Sequence, residues 1–167
     1  MTAITSTGIE SNSYDVIFNI LNTRANIPDP RGSTTRTFIY DADPFHKSIG
    51  FQDMPYIVFE LPRVEYSKTV ADGKHKLITW THIITVRTTR DGSAGSRVDV
   101  GRSDMLSIAD SLHSTFNSLT IRQTLRNNNI KFVDLKKVSS DVTVIDQKDV
   151  FESVYELKYQ TRLQVSS

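Results

Sequence analysis

The sequence predicts an α+β fold, with a mainly antiparallel sheet that contains a long hairpin and is packed by helices on one face. Two segments alternate apolar and polar residues with the period of a strand, one over 78–87 and one over 151–165. An Asp72-Gly73 pair ahead of the first segment has the sequence of a hairpin turn. Between the two segments, apolar residues recur at helical spacing over 103–117. Strands in groups, with helices between the groups, are typical of the α+β class.

Length and composition predict one folded domain without disulfides. The chain has 167 residues, of which 38% are hydrophobic and 23% charged, as in ordinary folded proteins. Cysteine is absent, which excludes disulfides, Cys-ligated zinc, iron–sulfur clusters and thiol catalysis. Lys and Arg number 20 against 19 Asp and Glu, so we expect no sequence-specific nucleic acid partner. Since no apolar run approaches about 20 residues, we also expect no membrane partner.

The N-terminal part of the chain predicts a flexible arm and then a helix. Residues 1–12 are rich in Ser and Thr without periodicity and form the expected arm, and a single domain is expected over 13–167. Ser13 is a candidate N-cap, and the apolar residues after it have helical spacing, which predicts a helix over 13–25. Prolines in the 28–32 segment end this helix because they lack a hydrogen-bond donor.

The segment before the hairpin turn predicts two strands. A short β-branched and aromatic run predicts a strand over 37–40, and an irregular segment over 41–54 follows it. Residues 55–66 are again β-branched and aromatic, but they include Pro62, so we expect a strand at a sheet edge or one with a bulge. This strand is expected to pair with the alternating segment that follows Asp72-Gly73.

Two helices are predicted after the hairpin. A glycine-rich loop over 90–97 precedes the 103–117 helix. Thr120 is a candidate cap for a shorter helix that continues to Leu125. Three asparagines over 127–129 close this second helix, because asparagine tolerates left-handed backbone.

Strands then complete the sheet. We expect two strands over 130–138 and 142–145, separated by the Ser139-Ser140-Asp141 segment, and a long final strand. The apolar face of the two alternating segments should pack under the 103–117 helix. The expected sheet residues are Ile78, Trp80, Ile84, Val86, Tyr155, Leu157, Tyr159 and Leu163, and the expected helix residues are Leu106, Ile108, Ala109, Leu112 and Phe116.

The residues that could carry chemistry do not form a recognisable catalytic set. His46, His75, His82 and His113 lie in different predicted elements without the ligand spacing of a metal site. The Asp41-Ala42-Asp43 segment could hold a hard cation, but turn chemistry explains it more simply.

A metal-dependent nuclease is the enzymatic alternative. It would use Asp53 or Glu60 together with Asp134 and Lys136, with carboxylates binding Mg²⁺ and the lysine stabilising a phosphate. An acidic residue two positions before a lysine on a strand is common by chance. The residues therefore predict no catalytic, cofactor-binding or metal-binding site, and we expect the protein not to be an enzyme.

Arginines around the glycine-rich loop are candidates for contacts between subunits. They alternate with acidic residues, so the loop is either a solvated excursion or an interface whose charges pair with a neighbouring copy. Together with the hairpin turn, the candidate interface residues are Asp72, Gly73, Arg87, Arg90, Asp91, Arg97 and Arg102.

The order of these elements resembles a known family. An amphipathic N-terminal helix, a Pro/Asp loop, the Pro55-Tyr56-Ile57-Val58-Phe59 strand, the Asp72-Gly73 hairpin, a helix and a long closing strand follow one another over 13–165. This order is similar to that of the tail-terminator, or tail-completion, proteins of long-tailed bacteriophages. Other neck and connector proteins of phages share much of it.

The resemblance implies a structural role. It implies an α+β subunit that forms a hexameric ring, caps the tail tube, stops its polymerisation and presents a surface for joining the head. The implied partners are further copies of the chain, the tail tube protein and a head-completion or neck protein, in a virion assembled in the host cytoplasm. The ring leaves room for DNA to pass, and the family has no catalytic residues to transfer. An intracellular binding module is a further alternative.

Overall fold

The computed structural model describes residues 9–42, 54–69, 74–89, 100–145 and 148–164. Within these ranges it has three helices and a six-stranded, mainly antiparallel sheet, which confirms the predicted fold class. In chain order the elements are α1 (Ile9–Asn22), β1 (Ile39–Tyr40), β2 (Tyr56–Phe59), β3 (Arg63–Thr69), β4 (His75–Thr89), α2 (Val100–Asn117), α3 (Leu119–Asn127), β5 (Ile130–Ile145) and β6 (Lys148–Gln164).

The sheet is organised around the long antiparallel pair of β4 and β6. The strand order is β1-β2-β4-β6-β5, and β3 pairs with β4 beside β2. β2 and β3 pair with successive stretches of β4, and the break between them contains Pro62, as its missing N–H leads one to expect. The pairing of β3 with β4 is the predicted hairpin, whose Asp72-Gly73 turn lies outside the described residues. β3 and β5 therefore lie on opposite edges of the sheet.

Helices cover one face of the sheet, which we call the helix face. Ile108, Leu112 and Phe116 of α2 are buried against it, as predicted. Leu106 was expected to join them but is 55% exposed. It lies one residue away from the Met105–Ile108–Leu112–Phe116 spacing, so it points off the buried stripe. Of the expected sheet residues all are buried except Leu163, which is partly buried.

Two helix starts differ from the prediction. α1 begins at Ile9, so 9–12 are helical rather than part of an arm, and the helix ends at Asn22. Ser13 lies inside α1 and is fully buried, because it is four residues before Ile17 and shares its core-facing side. α3 begins after Ser118 and not at Thr120, since Ser118 is the residue with extended backbone and accepts from the Arg122 N–H.

At the end of α3 an asparagine adopts left-handed backbone, and in the strand that follows, serines continue the strand where a turn was expected. Asn129 has the left-handed backbone that the asparagine run predicted, with φ of 61°. The expected break at Ser139-Ser140-Asp141 is wrong, because these residues continue β5 and pair with β6. The Ser140 and Ser153 hydroxyls lie 3.1 Å apart across the pair. Instead of a turn, β5 has register shifts at Phe132/Asp134 and at Lys137/Ser139.

An ion pair anchors the segment between α1 and β1. The Asp29 carboxylate is buried and accepts from the Arg36 guanidinium, including a 2.8 Å bond from Nη2. The Arg31 N–H donates to the same carboxylate at 2.9 Å, and Arg36 also donates to the Pro55 carbonyl at 2.6 Å. Burial raises the pKa of Asp29, but these hydrogen bonds outweigh burial and lower it below its ordinary value. The pair thereby ties the segment to the start of β2.

Candidate interaction surface

A groove opens between α2 and the part of the β5–β6 hairpin that is nearest to the connection between these strands. Its volume is about 300 Å³. The apolar part of its lining comes from Met105, Leu106, Val142 and Phe151. Its polar lining is Arg102, Lys137, Ser140 and Asp141. We call this feature the hairpin groove.

The sheet register explains why the groove has apolar walls. Val142 pairs with Phe151, and Val144 pairs with Asp149, so both valines lie on the helix face. α2 is fixed at its start by a 2.6 Å bond from the Thr88 hydroxyl to the Gly101 carbonyl, and its first turns leave the valines uncovered. Val142 is 60% and Val144 67% exposed. Clustered exposed apolar side chains of this kind make the groove a candidate interaction site.

The outer side of β5 is an open sheet edge. Every residue over 136–144 is exposed, and in the described part of the chain no strand pairs with this side. An edge strand presents unpaired N–H and C=O groups that another chain can bind. The second register shift, at Lys137/Ser139, leaves an uninterrupted run over 139–144.

The opposite edge of the sheet is also exposed. Leu61, two residues before β3, is 77% exposed, and Tyr66, within β3, is 70% exposed. Arg63 and Glu65 of β3 are exposed between them. No described strand pairs with the outer side of β3. We call residues 61–66 the β3 edge.

The structure brings only part of the predicted interface together. Arg102 is exposed on α2 and lines the hairpin groove. Arg87 donates to Glu152 on β6 at 2.7 Å and does not line this groove, and its interface role stays a prediction. Asp72, Gly73, Arg90, Asp91 and Arg97 lie outside the described residues, so their interface role stays a prediction.

Sequence reasoning missed the apolar side chains of this surface. The sequence predicts Leu106 in the core and Val142 in an ordinary strand, whereas both side chains are exposed. A signal was present in the run Val138 to Val144, where serine, aspartate and threonine accompany the valines and no large aromatic residue anchors a core. Such a strand is short of the apolar bulk that a buried strand carries.

The titratable residues considered for chemistry are dispersed. Glu60 donates its N–H to Ile83 of β4, whereas Asp134 pairs with Lys158 of β6. Three strand spacings, about 14 Å, therefore separate the backbones of Glu60 and Asp134. Asp53 lies outside the described residues. Among the described residues no group of three His, Asp or Glu side chains could hold a metal ion.

His82 is a core residue of β4. Its Nδ1 lies 2.8 Å from the Glu60 carbonyl, which can only accept, so Nδ1 carries the proton. Nε2 then accepts from the Tyr159 hydroxyl at 2.9 Å. The ring stacks on Phe59, with centroids 4.3 Å apart. Burial lowers the pKa of His82 to about 4, so the ring is neutral at pH 7.

His82 should make stability depend on pH. Because its folded pKa of about 4 lies below the ordinary 6.5, the unfolded chain binds the proton more tightly. The contribution of His82 to the free energy of unfolding, about 3 kcal/mol in total, is complete above about pH 6.5 and is lost as the pH falls towards 4. Urea unfolding at pH 7, 5.5 and 4.5 measures this slope. His82→Gln should make the free energy of unfolding depend less on pH, whatever the stability of the variant at pH 7. An unchanged pH dependence would show that other titratable groups cause it.

The candidate surface as a whole consists of an apolar groove and two open strand edges. Charged groups line its rims, and the arrangement has the form of an interface. Among the described residues, none of the helices has the length and apolar character needed to cross a membrane. No protein-family model and no curated protein matches the chain.

Proposed function

We propose that the protein is a structural component of a long-tailed bacteriophage that forms a ring on the tail tube. The ring caps the tube, stops its polymerisation and provides the surface that joins the head. The single observation that carries this proposal is the hairpin groove, with Leu106 and Val142 exposed beside the open edge of β5. These features need a partner chain to remove them from water.

The positions of the surfaces support a ring of identical subunits. The hairpin groove and the open edge of β5 lie at one edge of the sheet, and the β3 edge lies at the opposite edge. A contact between two different surfaces of the same chain is heterologous, and it repeats around an axis until the rotation closes. A closed ring leaves no free copy of that contact, so it can end a tube without growing itself.

The order of elements supports the phage assignment. α1, β2, the β3–β4 hairpin, α2 and β6 follow one another in the order on which the resemblance to tail terminators depends. The proposed ring is a hexamer in the virion, its proposed partners are the tail tube protein and a head-completion or neck protein, and another neck or tail structural role is the alternative.

A charge placed in the hairpin groove tests the proposal. Val142→Asp should leave the subunit folded, because the side chain is 60% exposed. In the ring it would bury a carboxylate, whose desolvation opposes the contact even beside Arg102 and Lys137, so the ring should dissociate at concentrations at least about tenfold higher than for the unaltered protein. Light scattering of the native species measures this, with circular dichroism as the check on folding.

The control for this variant adds the same charge elsewhere. Thr124→Asp places it on α3, where the side chain is exposed and does not line the hairpin groove, and should assemble normally. If Val142→Asp assembled as well as this control, the groove would not be part of the ring contact.

A further inference from the structure

We propose that the ring contact is a strand pairing in which the β5 edge of one copy binds the β3 edge of the next, so that their sheets become continuous. This inference rests on the proposed function, because it identifies which surfaces of the subunit meet. The occupant of the open β5 edge is therefore a second copy of this chain.

Strand directions allow this pairing. β3 is antiparallel to β4, β4 to β6, and β6 to β5. Directions therefore alternate across four strands, and β3 runs opposite to β5. A rotation by one sixth of a turn about an axis within about 45° of the strands turns their direction by much less than a right angle, so the β3 of the next copy still arrives antiparallel to β5. The antiparallel ladder can then continue from copy to copy.

The register gives the stagger between neighbouring copies. Arg63 pairs with Thr81 of β4, whereas Asp141 lies level with Arg87 of β4 through Glu152 of β6. Placing the next copy's Arg63 opposite Asp141 shifts that copy by six residues, or about 20 Å. Four strands span about 19 Å, so this shift corresponds to a strand tilt of about 45°. Strands in closed barrels tilt by roughly 35–45°, so the stagger is compatible with a closed ring.

A smaller stagger also preserves the faces of the sheet. Glu65 pairs with Thr79, and Lys136 lies level with Ile83 through Glu156. Bringing Glu65 opposite Lys136 needs a shift of four residues, which corresponds to a tilt of about 35°. Both shifts are even, so each side chain meets one on its own face.

The charges of the two edges are complementary in these registers. Arg63 and Glu65 lie on the face away from the helices and are exposed. Asp141 and Lys136 lie on the same face of β5 and are exposed. In the six-residue stagger Arg63 lies opposite Asp141, and in the four-residue stagger Glu65 lies opposite Lys136. In either register the other pair is a diagonal neighbour, so both contacts join opposite charges. Opposite charges across a strand pair stabilise it, whereas like charges destabilise it.

Cysteine cross-linking tests this contact cleanly, because the chain has no cysteine of its own. Arg63→Cys with Asp141→Cys reports the six-residue stagger, and Glu65→Cys with Lys136→Cys reports the four-residue stagger. Under mild oxidation we expect one of these double variants to give a ladder of covalent oligomers on a non-reducing gel, ending at the ring. The control, Arg63→Cys with Arg126→Cys on α3, should give no ladder.

A charge exchange provides a second test that needs no disulfide. Arg63→Asp and Asp141→Arg should each lower the fraction of protein in the ring, and the two together should restore it. Restoration would support the pairing, and additive loss would contradict it. Circular dichroism identifies any variant that does not fold.

The outcomes separate this inference from the proposed function. A ring mass without a ladder from either cysteine pair would overturn the strand pairing and leave the ring in place. Efficient dimers from Asp141→Cys alone, without longer species from either pair, would show a two-fold β5–β5 contact and would also overturn it. A protein that remains a monomer at every concentration, alone and on tail tubes, would overturn the proposed function itself.

Discussion

Replacing Asp29 with alanine should lower the free energy of unfolding by about 3–5 kcal/mol, because it removes one partner of a buried ion pair. The Asp29 side chain has no exposed area, and that of Arg36 is 21% exposed. The substitution would leave the guanidinium without its carboxylate and the Arg31 N–H without its acceptor. It would also remove the carboxylate that positions the Arg36 guanidinium for its bond to the Pro55 carbonyl. Urea unfolding at pH 7 measures the loss.

The control for this prediction is a carboxylate at the surface. Asp41→Ala removes an exposed side chain and should change stability by less than about 0.5 kcal/mol. Asp29→Asn retains the shape of the side chain and should lose less than the alanine variant. Equal stabilities for Asp29→Ala and Asp41→Ala would show that the ion pair does not anchor this segment.

The second large effect should come from the middle of α2. Leu112→Ala should cost about 2–5 kcal/mol, since Leu112 is fully buried against the helix face and its removal leaves a cavity. Leu106→Ala on the same helix is a matched control, because Leu106 is 55% exposed. It should cost less than about 1 kcal/mol, mainly through helix propensity and partial burial. Denaturant unfolding compares the two; a larger loss for Leu106 would place the helix on the sheet in a different rotation.

The fold could be predicted where periodicity is long. The alternation through Ile78 and Trp80 on β4, and through Tyr155 and Leu157 on β6, continues for so many residues that it identifies the face that packs under the helices. The buried face of α2 was also correct for Ile108, Leu112 and Phe116. Such patterns depend on the spacing of apolar residues alone, and that spacing is visible in the sequence.

The ends of helices and strands and the positions of bulges were harder to predict from the sequence, because they depend on contacts between distant segments. Ser13 has the chemistry of an N-cap, yet packing places it inside α1. Ser139-Ser140-Asp141 has the composition of a turn, yet pairing with β6 keeps it in a strand. In both cases tertiary contacts override the local preference of serine.

The interaction surface was the least predictable feature. Exposure of Val142 and Val144 follows from how far the β5–β6 hairpin extends beyond the cover of α2, and no local pattern contains that information. The abundance of arginine in interfaces makes both Arg102 and Arg87 candidates from sequence alone. Only Arg102 of the two lines the hairpin groove, and that placement depends on the tertiary structure.

The native mass of the unaltered protein tests the central claim most directly. A ring of six subunits of 18.9 kDa would have a mass of about 113 kDa. We predict this species, alone at high concentration or on tail tubes, and its loss on introducing Val142→Asp but not Thr124→Asp. A mass of one subunit at every concentration and on tubes, or a ring that Val142→Asp leaves intact, would contradict the account.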